Sequence, residues 1–244
     1  QIAVGLRGDG QVRRATVQLM SELQLNIVGT TGVGERLLVL VHGYGADEYD
    51  LAGLVPHIDP QGRFFTVCPR GPLSVMGIGA GWYERGDDGT IDPAMFLGSV
   101  DALDATIDTA CTDGGFDRAQ AVIIGFSQGG AMTLASALRT GGAIRPAAMA
   151  CLSGMLTELD GLEYAFSDAT GDDPLPEILV HHGTHDPVVV VDRGRTTRDT
   201  LTTHGVAHTY REYPMQHEIN MTSIHDLRDW LRSEEHTSEL QSHV

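Results

Sequence analysis

The feature that most constrains this chain is the stretch Ala121-Val122-Ile123-Ile124-Gly125-Phe126-Ser127-Gln128-Gly129-Gly130-Ala131-Met132. Val122, Ile123 and Ile124 form a short apolar run of the kind found in buried strands, and a small-residue helix is expected from Gly130 to Leu138. Between them, Gly-Phe-Ser-Gln-Gly reads as a strand–turn–helix of the nucleophile-elbow kind. The turn is so sharp that its serine takes a strained backbone conformation, and Gly125 and Gly129 lack the Cβ atoms that would collide across it. Ser127 Oγ then projects from the turn above a helix N-terminus, whose free N–H groups favour an oxyanion. A bare Gly-x-Ser-x-Gly also fits an ordinary loop. The strand before it and the helix after it argue for the elbow.

The same alternation of strand and helix runs through the chain. Period-two apolar positions from Val17 to Ile27 predict one or two antiparallel strands at a sheet edge, and residues 29–34 a turn. The continuous apolar run Arg36-Leu37-Leu38-Val39-Leu40-Val41 suits a strand covered on both faces by helices. Asp47 is placed to cap a helix running to about Ile58, and residues 63–68 form the next strand. Residues 71–89 read as a long glycine-rich loop, a feature that is usually functional inside a compact domain. Asp92-Pro93 opens a helix striped by Phe96, Val100, Leu103 and Ile107. Strands are expected near residues 147–152, 178–182 and 209–213, an acidic irregular stretch at 157–176, and helices at 192–204 and up to Leu231. The expectation is a single α/β domain over residues 1–231, with a mainly parallel central sheet and helices on both faces.

Charge excludes some partners. With 33 acidic and 16 basic residues, every basic one an Arg, the formal net charge is −17. Such a surface repels phosphate backbones and anionic membranes, so nucleic acid is not an expected partner. The absence of Lys fits either a GC-rich coding genome or a surface adapted to salt. Cys68, Cys111 and Cys151 are scattered and odd in number, with no C-x-x-C, so neither a disulfide framework nor a zinc site is expected. No apolar stretch reaches membrane-spanning length, and no integral membrane association is expected. Gln1-Ile2-Ala3-Val4 shows no basic-then-apolar leader, which points to the cytoplasm, although the missing Met leaves room for trimming. Residues 232–244 resemble translated sequencing-adapter read-through. They are set aside from the fold as an artefactual tail, and they suggest an environmental (metagenome) source.

A serine hydroxyl needs a base within hydrogen-bond reach, itself oriented by a carboxylate. In this architecture the order is Ser, acid, His, each on a loop after a later strand. Asp186 closes the strand at Ile178-Leu179-Val180-His181-His182, at a distance from both Ser127 and His217 that holds helix–strand traffic; an Asp-Pro turn or cap is the competing reading. Of the histidines, only His217 follows the last strand and precedes the last helix. His42 suits a loop brace, and His181 and His182 suit structural roles at a strand end. Two backbone N–H groups could form an oxyanion hole: that of Gln128, after the nucleophile, and that of Tyr44 in His42-Gly43-Tyr44-Gly45. The histidines at 181, 182 and 185 lack the helical spacing of a metal motif, so neither metal nor cofactor is expected.

Five ordered motifs over residues 36–231 carry a resemblance. They are Leu40-Val41-His42-Gly43-Tyr44-Gly45-Ala46-Asp47, Gly81-Trp82-Tyr83-Glu84, Gly125-Phe126-Ser127-Gln128-Gly129-Gly130, His182-Gly183-Thr184-His185-Asp186-Pro187-Val188-Val189 and Met215-Gln216-His217-Glu218-Ile219. Together they resemble the carboxylesterase, lysophospholipase and acyl-protein thioesterase family of α/β-hydrolases. The resemblance implies Ser127, Asp186 and His217 as catalytic triad and the Tyr44 and Gln128 backbones as oxyanion hole. It also implies an acyl-binding groove lined by Leu73, Met76, Ile78 and Trp82, and it admits a homodimer. Gln216 departs from the glycine common before the family's histidine, which bears on the shape of that loop. The activity to expect is hydrolysis of short- to medium-chain carboxylic esters, a small-molecule substrate, through an acyl-enzyme. The same triad would serve a lysophospholipase or thioesterase, and a hydrolase fold can also host a non-catalytic binding protein.

Overall fold

In a computed structural model, residues 23–28, 36–167 and 173–241 are described, the last eight by backbone alone. In strand β2 (Arg36–Val41), Leu37, Val39 and Val41 pack into one core cluster and Leu38 and Leu40 into another. Side chains alternate across a strand, so a run apolar at every position can be buried only between two layers of helices. The sheet that β2 organises has seven strands in the order β1-β3-β2-β6-β7-β8-β9. They are β1 (Leu25–Val28), β3 (Phe64–Pro69), β6 (Val122–Phe126), β7 (Ala148–Leu152), β8 (Glu177–Gly183) and β9 (His208–Tyr213). All pairings are parallel except that of β1, the antiparallel edge strand, with β3. Of the expected edge strands at 17–27 only this part can be assessed; the rest, with the 29–34 turn, lies outside the described residues.

One face carries α2 (Pro93–Gly114) and α3 (Gln128–Leu138), whose Phe96, Val100, Leu103, Ile107, Met132 and Ala135 pack on Val39 and Ile123. On that same face α4 (Val191–Thr203) contributes Leu201 against Ile178 and Val180. The other face is covered by α5 (Met221–Gln241), through Ile224, Leu227, Trp230 and Leu231, and by the short α1 (Val55–Ile58). α2 starts as its sequence predicts, with Pro93 in the first turn and the Asp92 side chain accepting from the Ala94 N–H at 2.9 Å. Its end is closed by Gly115 at φ 71°.

A buried ionic cluster locks α2 to α3. Asp104 accepts from Arg118 at 2.6 Å, from Ser136 at 2.5 Å and from Arg139 at 2.8 Å, and Arg118 also bonds the Asp104 carbonyl. Every carboxylate oxygen is thus partnered, the condition under which a buried charge is tolerated.

Two sequence expectations need correction. Asp47 does not cap a helix to Ile58: its side chain accepts from the Tyr49 N–H in a turn, and only a 3-10 turn at Leu51–Leu54 and the four-residue α1 follow. Pro56 lies in α1, where it can donate no backbone hydrogen bond to the turn before it. Residues 71–89 are not structureless. They fold into a hairpin of β4 (Leu73–Val75) and β5 (Gly79–Gly81), separate from the main sheet.

Candidate active site

Ser127 sits at φ 55° and ψ −118°, between β6 and α3. A non-glycine residue there stores strain, about 1–3 kcal/mol, which the surroundings must hold. They do so through hydrogen bonds from the Ser127 N–H to the Leu152 carbonyl at 2.9 Å and from the Ala131 N–H to the Ser127 carbonyl at 3.2 Å. The flanking glycines are obligatory: a Cβ on Gly125 would lie 2.1 Å from the Gly129 carbonyl oxygen, and one on Gly129 would lie 2.0 Å from that of Val41. The elbow is pressed directly against the end of β2.

The three residues singled out by the motif order come together. Ser127 Oγ lies 2.8 Å from His217 Nε2, and His217 Nδ1 lies 2.7 Å from Asp186 Oδ2. A carboxylate only accepts, so Nδ1–H donates to Asp186 and Nε2 is left to accept the Ser127 hydroxyl proton. The Asp186 side chain is fully buried and the His217 side chain is 16% exposed. Oδ1 of Asp186 accepts from the backbone N–H groups of Val188 at 2.8 Å and Val189 at 2.9 Å, so the carboxylate is held from both sides. The Phe126 ring stacks obliquely on His217 with centroids 4.9 Å apart. Asp192 stands outside this chain, paired with Arg195 on the surface of α4.

The loop after β2 reaches Ser127 as well. A Cβ on Gly43 would touch the Ser127 Cβ and the Phe126 ring, each at 3.3 Å, so the peptide leading to Tyr44 runs beside the serine. The N–H groups of Tyr44 and Gln128 donate to no other group among the described residues. The loop is braced by His42, which is buried and held neutral by that burial, its pKa lowered despite the Gly43 carbonyl and the carboxylates of Asp50 and Asp47. Its Nδ1–H donates to the Gly43 carbonyl at 2.7 Å and its Nε2 accepts from the Gly71 N–H at 2.9 Å.

The four residues expected along an acyl groove part company. Trp82 has no exposed surface. It is a frame residue, its indole N–H donating to the His42 carbonyl at 2.9 Å. Leu73 faces a cavity of about 680 Å³ that it shares with Leu23, Arg70, Met95 and Ser99, and that none of Ser127, Asp186 and His217 borders. Met76 and Ile78, in contrast, stand 96% and 83% exposed on the hairpin. The hairpin is tied to the Tyr44 loop by the Gly45 N–H to the Ala80 carbonyl at 2.8 Å and the Ala80 N–H to the Ala46 carbonyl at 2.7 Å. Arg70 buttresses it, joining the Ile78 carbonyl to the buried Glu48. A second cavity, of about 730 Å³, is lined by Arg85, Ile91, Met155, Leu156 and Arg193.

Two contributions go beyond what the sequence predicts. Gln128 is expected to act through its backbone only, yet its side chain accepts from the Trp82 N–H at 3.0 Å and donates to the Tyr83 carbonyl at 2.8 Å, clasping elbow to hairpin. His182 donates from Nε2 to the Val189 carbonyl at 2.7 Å, inside the Asp186 loop. The signal for His182 is its place four residues before Asp186 at a strand end, where a buried ring must find a backbone partner.

Among the described residues no group of three or more His, Cys, Asp or Glu side chains is arranged to hold a metal, and no helix is long and apolar enough to cross a membrane. All three cysteines are free and buried, and burial pushes the thiols of Cys68 and Cys151 up to about 12.

The parallel sheet, helices on both faces and the sharp turn after β6 define an α/β-hydrolase. The phospholipase/carboxylesterase family profile matches residues 24–234, and the chain belongs to that family. It is 26% identical over 219 residues to lysophospholipase-like protein 1 of Mus musculus, spanning 84% of this chain and 89% of that protein. It is 30% identical over 152 residues to a probable carboxylesterase, SOBER1-like, of Arabidopsis thaliana, spanning 62% of this chain and 56% of that one. The fold matches the crystal structure of the Bacillus cereus carboxylesterase with a TM-score of 0.74 at 18% identity, covering 93% of this chain and 100% of that one.

Proposed function

We propose that the protein is a serine hydrolase of carboxylic esters, with Ser127 as nucleophile, His217 as general base and acid, and Asp186 as the carboxylate that fixes the imidazole tautomer. The observation that carries this reading is the unbroken chain of short hydrogen bonds, 2.8 and 2.7 Å, from Ser127 through His217 to a buried Asp186. Ser127 Oγ attacks the ester carbonyl as its proton passes to His217 Nε2, and the charge on the carbonyl oxygen is received by the Tyr44 and Gln128 N–H groups. The tetrahedral intermediate collapses, the C–O bond to the alcohol breaks, and His217 returns the proton to the departing alkoxide. Water, deprotonated by His217, then cleaves the acyl-enzyme and releases the acid.

Exposed Met76 and Ile78 beside the Tyr44 loop support an apolar acyl contact on the hairpin. Leu73, which lines the separate cavity, and Trp82, which has no exposed surface, are left out of this proposed contact. The expected preference is for short- to medium-chain esters. The test is initial rate on p-nitrophenyl esters from acetate to palmitate, with Ser127→Ala beside the wild type. A short- or medium-chain maximum that vanishes in the variant supports the carboxylesterase. A long-chain maximum moves the reading to a lysophospholipase, in keeping with the name of the mouse relative. No Ser127-dependent turnover, with no labelling of Ser127 by a fluorophosphonate, leaves a binding protein on a hydrolase fold.

A further inference from the structure

We infer that His182 is a positioning residue for Asp186, and that Gly194 exists in α4 to seat it; this rests on the ester-hydrolase reading above. The loop that carries Asp186 closes on itself: Asp186 Oδ1 gathers the N–H groups of Val188 and Val189, while the carbonyl of Val189 turns inward to His182. A carbonyl can only accept, so His182 Nε2 carries the proton, at 2.7 Å from that oxygen. The same Nε2 lies 3.7 Å from Asp186 Oδ2, too long for a hydrogen bond but close enough to turn the positive end of an N–H dipole toward the carboxylate. His182 and the Asp186 side chain are both without exposed surface. The carboxylate oxygen nearest His182 is therefore the one that binds His217 Nδ1. His182 touches neither Ser127 nor the space in front of it; it acts on the reaction through Asp186.

The other ring nitrogen explains a glycine. Among the described residues His182 Nδ1 has no hydrogen-bond partner, and a Cβ on Gly194 would lie 2.5 Å from it and 2.9 Å from His182 Cγ. Glycine within a helix costs stability relative to alanine. At position 194 its lack of a side chain lets the first turns of α4 close over the ring. Any side chain there would push the ring from the Val189 carbonyl, loosening the Asp186 loop. Displacement of a catalytic group by about 1 Å costs on the order of 10²-fold in rate.

The test compares His182→Ala, His182→Gln, Gly194→Ala and the double variant Gly194→Ala/His182→Ala, with kcat and KM measured per active site titrated by fluorophosphonate. His182→Ala is expected to lower kcat by about 10²-fold at nearly unchanged KM. His182→Gln, whose amide N–H reaches the same point, recovers most of that loss. Gly194→Ala lowers kcat about tenfold or more alone, and lowers it no further in the double variant, where the imidazole no longer fills the space. Equal loss in His182→Ala and His182→Gln, strictly additive effects in the double variant, or a wild-type kcat in Gly194→Ala overturns the proposal. Should His182→Ala fail to fold, Gly194→Ala with a lowered kcat and unchanged KM still supports the proposal. Ester turnover in the wild type that both single variants leave intact removes the role of His182 alone. A wild type with no Ser127-dependent turnover overturns both readings.

Discussion

Ser127 occupies a backbone conformation it would not choose, and neighbours on three strands keep it there. Gly129 meets the end of β2, the Ser127 N–H bonds the end of β7, and its hydroxyl faces a histidine delivered by the segment after β9. The hydroxyl is therefore held facing His217 by the fold itself, which is what the proposed reading requires of a weak nucleophile with a neighbouring base. Ser127→Ala is expected to lower kcat on a p-nitrophenyl ester by about 10³-fold or more, with folding intact. The acid can be tested against a decoy. Asp186→Asn, which disrupts the tautomer, is expected to cost about 10⁴-fold. Asp192→Ala, on a side chain 80% exposed, should leave the rate close to wild type. Equal losses from the two would sink the assignment of Asp186.

Two elements call for separate predictions because they do different things. The β4–β5 hairpin is joined to the Tyr44 loop by backbone hydrogen bonds and offers Met76 and Ile78 to solvent. Replacing both with Ser removes no core contact, so the melting temperature should hold. KM for the longer esters is expected to rise about tenfold, the scale of a lost apolar contact, whereas that for acetate should change little. A uniform change across the ester series would put the acyl contact elsewhere. The α2–α3 junction is the opposite case. Asp104 gathers Arg118, Ser136 and Arg139 in a site where the Arg118 and Asp104 side chains are only 5% and 6% exposed. Asp104→Ala leaves the buried Arg118 guanidinium with only the half-exposed Asp108 carboxylate, at 3.0 Å, and takes the acceptor from Ser136; it is expected to cost about 3 kcal/mol in urea unfolding.

At the scale of the whole molecule, stability should respond to acid through His181, a histidine outside the proposed triad. Burial lowers the pKa of His181 from the ordinary 6.5 to about 4, opposed by Asp226 and reinforced by Arg211. Its Nε2–H donates to the Tyr213 hydroxyl at 3.0 Å, which in turn donates to Asp226 at 2.8 Å. The folded protein keeps this ring neutral while the unfolded chain protonates it, so stability is intact above pH 6.5 and falls as pH drops from 6.5 to about 4. The slope is about 1.4 kcal/mol per pH unit, for a total of about 3 kcal/mol. Urea midpoints at pH 7, 5.5 and 4.5 should fall less steeply for His181→Gln than for wild type. Parallel profiles would mean that another group carries the acid sensitivity.

What the chain alone determined is what local pattern encodes. Runs apolar at every position required a sheet covered on both faces. Gly-Phe-Ser-Gln-Gly between strand and helix marked the elbow, and the order of strand ends picked out Asp186 and His217, which the fold then brought within 2.7 Å of each other. Only the tertiary structure decided what depends on partners distant in sequence. Trp82 reads as a groove residue in a glycine-rich loop but is drawn into the core, because its indole N–H finds the carbonyl of His42. Residues 73–81 form a hairpin because the Tyr44 loop lies alongside to pair with them, and Asp47 closes a turn because Pro56 denies a longer helix its hydrogen bonds. His182 and Gly194 make sense only as a pair, since neither the bare ring nitrogen nor the helical glycine is explained until one is seen packed on the other. Periodicity sets which face of an element is apolar; the direction of a polar side chain is set by whichever buried group needs it, and that is known only once the elements have packed.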